Sequence, residues 1–344
     1  MGVVKADAYG HGALPVARKL EALGVRALAV ATVEEGAELR DGGIHAQIIV
    51  MGGLMGGSGL ASERVLKMEL TPVIHSRGVL ATLNRDAAAF RKEVRVHLKI
   101  DTGMSRLGVR PEVLQPVLDV LKDCSHVKVE GVMTHLASGD NEEISSQQVK
   151  RFLECRAVIE KMIGPVRIWH VANSAALMRG EQIEIPQAQE VWARPGLALY
   201  GCAPGSSFGE KLKPVMGLVS QAVLLKNLPA GTKVSYGGIF TTTRATRIAI
   251  VPIGYADGYP WALSGKAWAL MCGRRAPVIG RVTMDMIILD VTDIDGVSVG
   301  DEVVLLGGQG EERITLTQLA DWAGTIPYEI ICGISKRMPR IYQG

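Results

Sequence analysis

From the first residues to about position 207, short apolar runs alternate with longer stretches whose apolar positions recur at a helical period. The runs are VVK (3 to 5), ALAVAT (27 to 32), QIIVM (47 to 51), LTPVI (70 to 74), VRVHLKI (94 to 100), VEGVMTH (129 to 135), IWHVAN (168 to 173) and EVWAR (190 to 194). Stretches such as ALPVARKLEALG and EEISSQQVKRFLECRAVIEKMIG lie between them and stop at or near glycine, the usual helix terminator. Eight strand-then-helix units predict an α/β fold of the (β/α)8, TIM-type barrel kind, typically ~250 residues long. A doubly wound open sheet is the competing architecture, because periodicity does not reveal whether a parallel sheet closes. After Pro204 and Gly205 the texture changes to LVSQAVLL, TRIAIVPIG, AWALMC, APVIG, MIILDV and EVVLLG, punctuated by Gly, Asp-Gly and Pro. The pattern therefore predicts a barrel over 1–207, then a smaller, mostly-β C-terminal domain over 208–344 with one short helix at LTQLADWAG.

Composition narrows the picture. The 344 residues are 47% hydrophobic and 21% charged, as in ordinary globular chains, and a net charge of +3 is interspersed along the chain. Nucleic acid is not the expected partner. Cys124, Cys155, Cys202, Cys272 and Cys332 lie about thirty or more residues apart and match neither zinc nor redox spacing, so no metal is expected and the thiols read as reduced and cytoplasmic. No apolar run approaches the ~20 residues of a membrane helix. Lys5 and Asp7 interrupt the region where a signal peptide is apolar, and Ala6 stands where a myristoylation motif has Ser or Thr. The GGLMGGSG stretch (52 to 59) lacks the lysine and spacing of a phosphate loop and reads as a plain connection.

Parallel barrels carry their chemistry at the carboxyl ends of the strands. Those ends are rich in polar residues here: Lys5 with Asp7, Tyr9 and His11; Lys99 and Asp101 with Arg106; Thr134 and His135; His170, Asn173 and Ser174; and Arg194. Each has a bland reading as a solvated, hydrogen-bonded or ion-paired residue. Their convergence on one rim favours function. RPGLALYG (194 to 201) follows the eighth strand, where barrels often bind phosphate through backbone N–H groups, though alone it is a weak signal.

Together these segments resemble the alanine racemase family, pyridoxal-phosphate (PLP) enzymes built from a barrel and a β domain. VVKADAYGHG (3 to 12) resembles the cofactor-attachment motif. KIDTGMSRLG (99 to 108), MTHLASGDN (133 to 141), HVANSAA (170 to 176), RPGLALYG, VSYGGIF (234 to 240), PIGYADGYP (252 to 260), GRVTMDM (280 to 286) and YEIICGISKRMPRIY (328 to 342) match in order.

The resemblance implies a role for each matching residue. Lys5 binds PLP covalently and serves as base on one face of the substrate, and Tyr236 serves the opposite face. Tyrosine is a poor base near neutrality unless its phenolate is favoured, and the resemblance assigns that task to a chain through His135 and Arg194. Arg194 also faces the pyridine nitrogen; it cannot accept that nitrogen's proton, which weakens the electron sink and disfavours transamination. Tyr9, Ser174, the backbone of Gly196 and Leu197, and Tyr328 hold the phosphate. Arg106 holds the substrate carboxylate with help from Met284, Lys99 occupies the place of a carbamylated lysine that fixes the arginine, and Tyr255 and Asp285 line the substrate corridor. Lys5 of one subunit meets Tyr236 of the other in a homodimer.

The implied activity is interconversion of L-alanine and D-alanine, for peptidoglycan or for alanine catabolism. A racemase of broader specificity and a non-catalytic PLP-binding protein are the rivals; a pure binder has no need of Tyr236. A PLP decarboxylase should place a carboxylate at the ring nitrogen, against which Arg194 argues. Two departures stand out. Trp261 follows YADGYP where many members have arginine, which alters the charge of the corridor. Family members also carry about thirty residues before the lysine motif, so the short N-terminus implies either a longer reading frame or a truncation that weakens folding and dimerisation.

Overall fold

The computed structural model describes residues 1–55, 59–180, 183–202 and 212–343. These form two compact units, one of Met1–Ala8 with Gly12–Leu212, the other of Tyr9–His11 with Lys213–Gly344. The expected boundary between 207 and 208, with Pro204 and Gly205, lies outside the described residues, as do residues 56–58 of the GGLMGGSG stretch.

The first unit is built on β1 (Gly2–Val3), β2 (Ala27–Val30), β3 (Gln47–Val50), β4 (Thr71–Ile74), β5 (Val94–Lys99), β6 (Val127–Met133), β7 (Ile168–Asn173) and β8 (Glu190–Arg194). They pair in parallel, each with the next in sequence. A doubly wound sheet would reverse its strand order part-way; this one does not. It closes instead: the Val3 N–H donates to the Pro195 carbonyl at 3.0 Å and the terminal ammonium to the Ala193 carbonyl at 3.1 Å. The residues of β2 and β4 are all buried, which explains why both read as continuous apolar runs instead of alternating.

The helices begin where the sequence supplies caps. Thr32 and Glu35 form a reciprocal capping box on Val33–Asp41, Ser76 caps Arg77–Ala89, and Asn141 caps Glu142–Ile163, which ends at Gly164 with a positive φ. After β7 the five-residue helix Ser174–Met178 follows, capped by Asn173.

Two local expectations need correction. The VVK run is strand only as far as Val3, and the backbone runs left-handed from Ala6 onward. LVSQAVLL, expected as one strand, is two (Leu218–Gln221 and Leu224–Leu228), and they pair in different sheets.

The second unit is mostly β. Leu224–Leu228, Thr246–Val251 and Ile287–Asp290 form one antiparallel sheet, and Trp268–Met271 and Glu302–Gln309 are central in another. Val234, Ile248 and Ile279 make a small core with Phe240, Ile250 and Ile288 packed on it. The helix Leu316–Ala323 forms as expected between its Thr315 cap and Gly324. A second helix, Pro327–Gly333, follows where the pattern predicts only one; Pro327 at its first turn is a helix-initiating residue. No helix among the described residues is long and apolar enough to cross a membrane.

Candidate functional site at the barrel mouth

Lys5 stands just past the first strand, and the backbone beyond it is unusual. Ala6, Asp7, Ala8 and Tyr9 all have φ between 52° and 54°, one turn of left-handed helix in non-glycine residues. Left-handed helical geometry costs L-residues about 1–2 kcal/mol each, hence roughly 4–8 kcal/mol for four. Local hydrogen bonds hold the turn. Glu35 Oε1 accepts from the Ala6 N–H at 2.7 Å while its Oε2 accepts from Ala31 and Thr32, and Asp7 Oδ1 accepts from the Ala13 N–H at 2.8 Å. One carboxylate thus both caps the helix after β2 and pins the lysine turn. Such strain is commonly found at functional sites.

Arg194, 3% exposed at the end of β8, is held among the described residues by neutral acceptors. Nη2 donates to the carbonyls of Thr134 (2.6 Å) and Val171 (2.9 Å) and lies 3.4 Å from His135 Nδ1; Nη1 lies 3.2 Å from His170 Nδ1. None of these bonds uses Nε. Burial lowers the guanidinium pKa to about 10, which leaves it cationic at neutral pH. Burial, reinforced by Arg194, Lys99, Arg106 and Lys5, drives His135 down to about 3, so this imidazole is neutral.

Lys99, buried at the end of β5, is lowered to about 8, by burial first and then by Arg106 and Arg194, with Asp101 opposing and Lys5 adding a smaller push. Four cations therefore share one field at the mouth, and among the described residues Asp101 is the carboxylate that opposes the others at Lys99. Asp101 shapes the loop to Arg106 by accepting from the Gly103 and Ser105 N–H groups at 3.1 and 2.9 Å. Arg106 itself is exposed.

Across β7 and β8, the buried Ser174 Oγ accepts from the N–H of Gly196 at 2.9 Å and of Ala198 at 3.3 Å. The Gly196 donor is thus engaged by Ser174. With both lone pairs taken, the hydroxyl keeps its own proton for an outside acceptor. Leu197 opens the short helical turn Leu197–Tyr200, and the Tyr200 hydroxyl donates to the Val3 carbonyl at 2.8 Å, a packing role.

In the second unit, the buried Tyr9 ring lies 6.1 Å from that of Tyr328, on the helix Pro327–Gly333. Burial, then Tyr328 and Cys332, raise the Tyr9 pKa above its usual value, so it is a neutral donor. Tyr255, Met284 and Asp285 come together because the N–H groups of Tyr255 and Ala256 donate to the carbonyls of Thr283 and Met284, both at 3.0 Å. That approach requires Gly254, where a Cβ would lie 2.3 Å from both carbonyl oxygens. Asp285 pairs with Arg337 at 2.6 Å.

Tyr236 follows Ser235, whose φ is 62° and whose hydroxyl donates to the Arg281 carbonyl at 2.8 Å. A Cβ at Gly280 would meet Ser235 Cβ at 2.7 Å, so glycine lets the two loops close. Tyr236 is 72% exposed. The Arg281 guanidinium lies over the Trp261 ring, 5.5 Å from its centre, and supplies a cation beside the tryptophan.

Reasoning from strand ends did not single out Glu35 or Gln148. Gln148, 3% exposed on Glu142–Ile163, donates to Thr102 Oγ1 and to the His135 carbonyl, both at 3.2 Å, and accepts from the Ala137 N–H at 2.8 Å. It braces the His135 and Arg106 loops together. Thr32-x-x-Glu35 was legible as a capping box; nothing in the sequence marked Gln148.

A closed parallel barrel with a lysine after its first strand and a cationic mouth defines an enzyme-like site for an anionic ligand. Residues 1–204 match the model of the alanine racemase N-terminal domain and 215–342 that of the C-terminal domain. An alanine racemase of Halothermothrix orenii is 43% identical over 347 residues, covering 100% of this chain and 89% of its own. Among solved structures, alanine racemase of Clostridium difficile 630 superposes with a TM-score of 0.88 at 36% identity, covering 98% of this chain and 86% of that one. Alanine racemase from Bartonella henselae with covalently bound pyridoxal phosphate gives 0.84 at 29% identity, covering 99% and 92%. The chain belongs to the alanine racemase family.

Proposed function

We propose that this chain is a PLP-dependent alanine racemase that interconverts L-alanine and D-alanine by a two-base mechanism. The observation that carries the reading is the mouth itself: Lys5, Lys99, Arg106 and Arg194 act together on His135, and Asp101 is the carboxylate that opposes them at Lys99. That donor set fits a dianionic phosphate and a substrate carboxylate. The spare Ser174 proton and the unused Arg194 Nε–H fit the same ligand.

PLP would be held covalently by Lys5, at its phosphate by Tyr9, Ser174, Tyr328 and the backbone of Leu197, with the Gly196 N–H holding the Ser174 hydroxyl in place instead of donating itself, and at its ring nitrogen by Arg194. When bound, it supplies the electron sink that makes an amino-acid Cα–H acidic enough to lose. Lys5 exchanges a proton with Cα on one face and Tyr236 on the other. The neutral His135 and cationic Arg194 steady the Tyr236 phenolate. Arg106, with the Met284 backbone, orients the carboxylate, and a carbamate on Lys99 turns a repelling cation into an anion that fixes Arg106. A lowered pKa of about 8 keeps part of Lys99 as the free amine that takes up CO2. Tyr255 and Asp285 line the corridor.

The β-rich domain after about residue 207 contributes the second base to a partner's barrel, in a homodimer with shared sites. The 72% exposure of Tyr236, with Ile239, Met284 and Met286 also exposed in the single chain, supports this reading, since a general base works best where water is excluded. The D-alanine serves peptidoglycan synthesis or alanine catabolism in the cytoplasm, a setting that five free cysteines favour. A racemisation assay of the PLP-loaded protein on alanine, serine, lysine and arginine tests it: alanine is expected to be fastest, and failure to racemise any of them refutes the reading.

A further inference from the structure

Within the barrel, two histidines that the racemisation scheme leaves without a role form a line ending on Arg194. His97 on β5 and His170 on β7 are both 0% exposed. His97 Nδ1 lies 2.8 Å from His170 Nε2, and His170 Nδ1 lies 3.2 Å from Arg194 Nη1. The rings meet edge to face with centres 4.9 Å apart, and Trp192 on β8 flanks both at 6.1 and 6.3 Å.

The sheet is deformed to make this place. The β5–β6 register shifts between Val96 and His97, and the β7–β8 register shifts between His170 and Asn173. Bulges of this kind re-aim side chains. Opposite His97 stands Gly131, where a Cβ would come 2.8 Å from the ring. Any larger residue there displaces the imidazole.

The direction of the hydrogen bonds follows from Arg194, because a guanidinium only donates. His170 Nδ1 must accept, so the proton of a neutral His170 sits on Nε2. That N–H donates to His97 Nδ1, which places the His97 proton on Nε2, the atom left with no partner. Both rings are neutral, since burial and the guanidinium lower His97 to about 3 and His170 well below the ordinary range.

We propose that His97 is a positioning residue: by accepting at Nδ1 it locks His170 as the Nε2–H tautomer, whose Nδ1 then fixes the Arg194 guanidinium at the barrel mouth. The cationic side chain meant for the ring nitrogen is thereby oriented through two neutral imidazoles instead of a carboxylate. The consequence for PLP rests on the functional reading above; the tautomers do not.

Nitrogen-15 NMR of the PLP-treated, histidine-labelled protein at neutral pH tests the chain directly. Both rings are expected as neutral Nε2–H tautomers, His97 being assigned by loss of its signals in His97→Asn. His97→Phe keeps a ring but no acceptor. It should shift the His170 nitrogens and raise the PLP concentration for half-saturation roughly tenfold, the loss of about one buried hydrogen bond. His97→Asn, whose amide oxygen can accept near the Nδ1 position, should restore both values towards the parent. Gly131→Ala should mimic His97→Phe. An Nδ1–H tautomer or an imidazolium at either ring, or a His97→Phe protein with unchanged His170 signals and PLP half-saturation, overturns the proposal. If His97→Phe does not fold, the parent tautomers and His97→Asn decide. Tautomers as expected in a protein that fails to racemise alanine would refute the functional reading and leave this one standing.

Discussion

Arg194 is 3% exposed and satisfied by two carbonyls and two imidazoles from its own barrel, whereas Tyr236 is 72% exposed on a loop held only at its base by Ser235 and Gly280. The first residue is positioned completely by one chain, with strained backbone beside Lys5 and bulged strands around His97 as part of the arrangement. The second has a fixed backbone and an unfinished environment. The contrast teaches that the Arg194 environment is complete within the barrel, whereas the Tyr236 side chain, in the second unit, stands exposed in the single chain.

The sharpest break of that contrast is Lys5→Ala. It should remove the yellow colour of PLP-loaded protein, which borohydride otherwise fixes covalently, and lower racemisation by more than the 10²–10⁴-fold typical of one general base. A coloured, active Lys5→Ala protein would refute the assignment. Tyr236→Phe should keep the colour and PLP affinity yet lose about 10²–10⁴-fold in rate, mainly in proton abstraction from L-alanine. Full activity there would dissolve the two-region division.

Glu35→Ala removes the acceptor for the Ala6, Ala31 and Thr32 N–H groups. A loss of about 1–3 kcal/mol is expected in denaturant unfolding, with PLP affinity falling further than stability alone accounts for, because the strained turn next to Lys5 relaxes. Lys99 gives a pH signature in CO2-free buffer. Its folded pKa of about 8 lies below the ordinary 10.5, so between those values the unfolded chain holds the extra proton and stability rises with pH. Lys99→Met should flatten that rise; an unchanged profile would show that Lys99 is not the group responsible. The smallest effect is expected for Trp261→Arg, which replaces the ring under Arg281 with a second cation. A change in KM of a fewfold with kcat preserved would place it in the corridor, and a fall in kcat would move it into the chemistry.

Much of the barrel was legible because its signals are local. IWHVAN and EVWAR coincide with β7 and β8 residue for residue, since bounded apolar runs need only their own side chains to read as buried strands. Lys5, Lys99, His135 and Arg194 could be singled out from their places near strand ends. The break inside LVSQAVLL was not legible, because the change of sheet at Ala222 and Val223 depends on partners far along the chain. The helix Pro327–Gly333 was hidden by a segment too short to show periodicity. Gln148 escaped notice because its three bonds reach residues 11 to 46 positions away.

The sequence by itself determined the order of elements, the alternation that makes eight parallel strands, and the residue types available at the mouth, because propensity, capping and periodicity act over a few neighbours. Tertiary structure decided what those residues are electrically. Only closure of β8 on β1, together with the bulges at His97 and His170, brings the buried Lys99 and Arg194 and three neutral imidazoles, His97, His135 and His170, together within reach of Lys5 and Arg106. There burial and mutual repulsion set Lys99 near 8 and His135 near 3, and Arg194 remains a cation without a carboxylate. Charge interactions depend on distance through space, which a linear pattern does not contain.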